Sequence, residues 1–154
     1  MPISAQHSPR TDVTTLFLPG LRLGEVRTAR DCVAWVLSSE DPDTRSTAQL
    51  LTSELASNAL IHGDVRNAAC PKTGLLAEPR PFSVTVDLLA REISVLVCGR
   101  GARRVAPRPK RNRAWNETGR GLLWVEALSA AWGTYGDHVS RTVWFTLTRA
   151  PALG

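Results

Sequence analysis

LLTSELASNALIHG, residues 50–63, is the stretch on which the fold turns. Leu51, Leu55 and Ala59 stand at successive i+4 steps and so line one face of a helix. Asp41-Pro42-Asp43 breaks the pattern before it, Thr44 is placed to cap the new helix, and Gly63 ends it. Glu54 and Asn58 are also four apart and project together from that helix. An Asn carbonyl oxygen suits magnesium, which takes oxygen ligands alongside phosphate. A Glu one turn earlier can act as a base toward water or a hydroxyl. Two polar residues at this spacing are also what any solvated helix face offers, so the pair gains meaning only from its surroundings.

Working outward, Thr14 to Leu18 reads as a strand ending at Pro19-Gly20. From Gly24 to Ser39, Val26, Ala29, Val33 and Val36 or Leu37 recur at helical spacing. On the other side, residues 64–81 hold three prolines and one glycine and read as a loop. Phe82 to Leu89 and Ile93 to Val97 alternate apolar with polar residues, as antiparallel neighbours joined near Ala90–Glu92 would. Residues 99–118 are rich in Arg and Pro. An irregular stretch of that length in a small domain is a lid, a binding loop or a disordered segment. Thr118 to Ala130 is helical again. Ala131 to Tyr135 and Arg141 to Leu147 are strand-like, parted by Gly136-Asp137-His138. The order of elements predicts a two-layer α/β sandwich: a mostly antiparallel sheet with helices packed on one face.

The chain has 154 residues, 43% hydrophobic and 21% charged, which suits one globular domain. We expect an arm over residues 1–13, the domain over 14–149 and a tail over 150–154. No apolar run approaches the roughly 20 residues of a membrane span. Met1 to Asp12 lacks the apolar core of a signal peptide, so a cytoplasmic protein is expected. Cys32, Cys70 and Cys98 are odd in number and widely spaced. With His7, His62 and His138 they do not make a zinc pattern, and reduced structural thiols are the simpler expectation. The net charge of +5 is local. Residues 99–118 hold seven basic residues and one acidic, whereas the rest holds twelve and thirteen. Nucleic-acid binding through this segment ranks low, because Trp115 is its one stacking aromatic.

Two further stretches carry chemistry. In Thr118-Gly119-Arg120-Gly121-Leu122, glycines at a helix start let backbone amides approach a phosphate. Val97-Cys98-Gly99-Arg100-Gly101 reads as a strand end with a tight glycine turn leading into the basic segment.

Together, a Glu-x-x-x-Asn helix, a strand with a glycine-rich end, a long loop and G-x-G opening a helix resemble the GHKL ATPases. The wording is closest to the anti-sigma-factor serine/threonine kinases, especially short stand-alone actinobacterial regulators. LLTSELASNALIHG looks like their N box, GRGLLWVEALSAAWG (119–133) like their second glycine box, and RTVWFTL (141–147) like their closing strand. The resemblance covers residues from about 14 to 148. It implies the Bergerat fold, ATP and Mg2+ as cofactors, and transfer of phosphate to a Ser of an antagonist protein. Also implied are binding of a sigma factor and a homodimer. By the same resemblance Glu54 is the catalytic carboxylate, Asn58 the magnesium ligand, and Gly119, Arg120 and Gly121 the phosphate cradle. Gly101 matches a glycine of the strand-end motif, and Thr142 a Thr that helps hold adenine. His62 and Gly63 match the usual end of the N box.

One position departs. Where the family has an Asp that accepts a hydrogen bond from the adenine amino group, this chain has Gly99. Loss of that charge-assisted bond weakens ATP by roughly 10- to 150-fold. The rival reading is therefore a degenerate, non-catalytic module of the same fold, acting by protein contact. Of the five tryptophans, Trp35, Trp124, Trp132 and Trp144 are expected in or near the core, and Trp115 in the lid.

Overall fold

The computed structural model describes residues 12–61, 69–101 and 117–151, with residues 117–120 by their backbone alone. The chain runs β1 (Asp12–Leu18), α1 (Glu25–Val36), α2 (Pro42–Ile61), β2 (Phe82–Leu88), β3 (Glu92–Arg100), α3 (Glu117–Leu128), β4 (Ala131–Gly136) and β5 (Ser140–Thr148). The strands form one antiparallel sheet in the order β1-β2-β3-β5-β4. With three helices against it, this is the α/β architecture that the element order predicts.

The alternating strands explain the layering. Val84, Val86, Ile93, Val95, Val97 and Phe145 are at most 3% exposed and meet Val33, Leu51, Leu55 and Leu60 of the helices in one core. Each such side chain contributes about 1.5–3 kcal/mol by leaving water. α2 lies over β3 at the middle of the sheet, α1 over β1 and β2, and α3 beside α2.

Several boundaries differ from expectation for identifiable reasons. Pro42 does not break the chain before α2 but opens it. Asp41 Oδ1 accepts a hydrogen bond from the Thr44 amide at 2.9 Å, so Asp41 rather than Thr44 is the cap. Pro is tolerated at the first helical position, where no donor is needed. β3 continues past Val97 to Arg100, so Gly99 is a strand residue rather than part of a turn. Within the 64–81 loop, Ala69 bridges Leu76, and Leu75 bridges Arg22, laying a flap along residues 21–23. Trp35 and Trp124 are 74% and 48% exposed, outside the buried stripes that carry Val33 and Val125. Trp132 and Trp144 are partly buried, as expected. His62, Gly63 and Trp115 lie outside the described residues, as does the expected lid beyond Gly101 up to Asn116. Among the described residues no helix is long and apolar enough to cross a membrane.

Candidate functional site

α2 ends above the same edge of the sheet at which β1 and β3 end and β2 and β5 begin. Register fixes what meets there. Gly99 is paired with Arg141 of β5, and Ser83 with Cys98. A Cβ at Gly99 would stand 3.3 Å from Ala59 Cβ and 3.7 Å from Phe82 Cβ. Gly99 therefore faces α2 at Ala59, the residue after Asn58 in sequence. Its φ is not positive, so a side chain there would meet crowding but no backbone strain.

One turn earlier on α2, Glu54 faces α3. A Cβ at Gly121 would lie 2.5 Å from Glu54 Oε2. The absence of a side chain at Gly121 is what lets the carboxylate in. Burial raises the Glu54 pKa above the ordinary carboxylate value. No hydrogen bond or ion pair offsets that burial among the described residues. A desolvated, unpartnered carboxylate beside a helix start is a group suited to accept a proton. Asn58 is half-buried, and its carbonyl oxygen is a suitable donor for a hard cation.

Gly119 and Gly121 are the third and fifth residues of α3 rather than a loop before it. The Gly119 amide belongs to the first turn, whose donors lack helix partners. Gly121 lies beyond that turn, and its observed role is to make room for Glu54. Arg120 is placed on α3 by its backbone. Gly101 donates its N–H to the Val139 carbonyl at 3.2 Å, and a side chain there would collide with the backbone of Asp137 and His138.

Thr142 does not join this group. It pairs with Cys98 and Tyr135, and side chains alternate along a strand, so it lies on the sheet face away from the helices. The helix-side neighbour of Gly99 is Arg141. That residue was legible: Val143, Phe145 and Leu147 are the inward set of the closing strand, and Arg141 continues it. Arg141 Nε is enclosed without a partner among the described residues. Its terminal nitrogens have only long contacts, Nη1 to Thr134 Oγ1 and Nη2 to the Gly136 carbonyl, both 3.4 Å. Arg80, just before β2 and 9% exposed, likewise has a buried, unpartnered Nε.

Sequence reasoning also missed Glu25. Its carboxylate, 8% exposed as a residue, accepts the amides of Gly20, Leu21 and Arg22 at 2.8, 2.5 and 2.9 Å. It thereby fixes the turn leading out of β1 at this edge.

The residues present fit a magnesium–phosphate group: an Asn oxygen, an unpaired carboxylate and a glycine-bearing helix start. Gly99, where the resemblance implies an acceptor for adenine, offers no acceptor side chain. No family model matches this chain, and no curated protein matches it.

Proposed function

We propose that this chain is a nucleotide-dependent regulator of the GHKL type, of the anti-sigma-factor serine/threonine kinase kind, with a Bergerat fold. The observation that carries the reading is Glu54, desolvated and unpaired, on one helix face with Asn58 and against Gly121 of α3. Asn58 would hold Mg2+, with the first turn of α3 toward the phosphates of ATP. That cation would supply charge neutralisation at the transferred phosphoryl group, where catalysis is mostly positioning and electrostatics. Glu54 would take the proton of a Ser hydroxyl on an antagonist protein. A sigma factor, an antagonist, a second copy of the chain and a cytoplasmic setting belong to the same proposal. The second reading, a non-catalytic module acting by protein contact, draws on one observation, the missing acceptor at Gly99.

Calorimetric titration with Mg-ATP and single-turnover phosphorylation of a cognate antagonist test the reading. Asn58→Ala is expected to abolish magnesium-dependent binding in a folded protein. Glu54→Ala is expected to keep binding and lose transfer. Wild-type phosphorylation by both variants would overturn the assignment. Binding without transfer in the wild type would favour the non-catalytic module.

A further inference from the structure

The base end of the cleft presents a donor where adenine needs an acceptor. The inward row across the sheet at this edge reads Leu18, Phe82, Gly99, Arg141 and Gly136. Phe82 is apolar and the two glycines have no side chain, so Arg141 is the one polar side chain in the row. Its Nε–H is shielded from water and has no hydrogen-bond partner among the described residues. Its other contacts, at 3.4 Å, are well beyond the 2.9–3.0 Å at which N–H···O bonds cluster. The neighbouring acid, Asp137, acts on Arg141 by charge at a distance, while its Oδ1 accepts the amides of Val139 and Ser140 at 2.8 and 3.0 Å. An enclosed Nε–H without an acceptor is costly until one reaches it.

Purines differ at this edge. Adenine shows an acceptor at N7 and a donor at its 6-amino group, whereas guanine shows acceptors at both N7 and O6, which an Arg fork meets in a bidentate way. We propose that Arg141 makes this cleft selective for a 6-oxopurine nucleotide, guanine or hypoxanthine, over adenine. The inference rests on the nucleotide reading above and specifies its base. Gly99 complements Arg141, because a carboxylate at that position would oppose O6 and pair with the guanidinium itself.

The test compares Mg-GTP, Mg-ITP and Mg-ATP binding to the full chain by calorimetry. Hypoxanthine carries O6 and N7 without the 2-amino group, so GTP and ITP are expected to bind alike and at least tenfold more tightly than ATP. Arg141→Gln is expected to weaken GTP and ITP at least tenfold and ATP less, so that the preference for 6-oxopurines is lost. Arg141→Lys, which keeps the charge without the fork, is expected to lose the preference as well. Melting temperatures recorded alongside separate loss of binding from loss of fold, and the wild-type comparison needs no variant. ATP binding as tightly as GTP, or Arg141→Gln weakening all three nucleotides equally, overturns the inference and leaves the nucleotide reading standing. Failure of all three to bind removes both.

Discussion

The carboxylate of Glu54 occupies the space that a side chain at Gly121 would need: a Cβ there would stand 2.5 Å from Oε2 and 3.1 Å from the Glu54 Cβ. The candidate base and the third helix are thus fitted to one another. Gly121→Ala raises helix propensity by about 1 kcal/mol, which offsets part of the crowding. The variant is expected to fold with a melting temperature within a few degrees of wild type. Glu54 is expected to be displaced toward water, and its pKa to fall back toward the ordinary Glu value. Carboxyl carbon NMR across a pH titration reads this directly. An unmoved Glu54 pKa would mean that Gly121 does not set its environment.

Glu54 itself makes stability depend on pH. Burial raises its pKa in the folded protein, so it holds its proton more tightly there than in the unfolded chain. That contribution is fully present below the unfolded value of about 4.3 and is lost as pH rises through the folded value. Glu54→Gln is therefore expected to melt higher than wild type at pH 7, by roughly 1–3 °C once water reaching the group is allowed for. The two proteins should melt together near pH 3.5. A variant that melts lower at pH 7 would show that the ionised carboxylate has a favourable partner.

Glu25→Ala removes the acceptor of three backbone amides in a buried turn. Leaving such donors unsatisfied costs about 2–4 kcal/mol, or roughly 5–15 °C in a domain of this size. Urea unfolding measures it. A loss below about 1 kcal/mol would mean that water replaces the carboxylate without penalty.

Gly99→Asp restores the missing acceptor. With no positive φ to strain, the obstacle is Ala59, whose Cβ would stand 3.3 Å from the new one and must yield by a few tenths of an ångström. The variant is expected to bind Mg-ATP at least tenfold more tightly than wild type and to favour adenine over guanine. Ala59→Gly in the same chain relieves the contact, at about 0.5–1 kcal/mol of helix stability. A folded double variant with no gain in ATP affinity would show that the base end is closed for another reason, and would move preference to the non-catalytic module.

The sequence was most legible where one periodicity ruled. The i+4 series of α2 and the alternation of β2 and β3 each correspond to buried faces, and they bring Glu54 and Asn58 to one place. Legibility failed where two rules competed. Asp41-Pro42 reads as a breaker and acts as a cap followed by a first helical residue. Thr142 looked right by likeness of wording, while strand parity alone pointed to Arg141. Trp35 and Trp124 are apolar by type, but helical spacing does not say how wide the buried stripe is. Glu25 left no local signal, because its role depends on a turn that precedes its own helix.

At the other end of the sheet, Arg149 acts as a clasp. Its Nε meets Glu40 Oε1 at 2.8 Å, its Nη1 meets the Leu89 carbonyl at 2.9 Å, and its backbone N–H meets the Arg91 carbonyl at 2.9 Å. One residue after β5 therefore ties the α1–α2 junction to the β2–β3 turn. At the cleft end stand Gly20, Gly99, Gly101, Gly121 and Gly136, where side chains are absent. The domain is bound like a book, tied along its spine by Arg149 and bare of side chains at the glycines of its fore-edge. Amides near Arg149 should exchange only through global unfolding, while those around Gly101 should exchange through local opening at lower free energy. A ligand could then enter at the fore-edge without disturbing the spine.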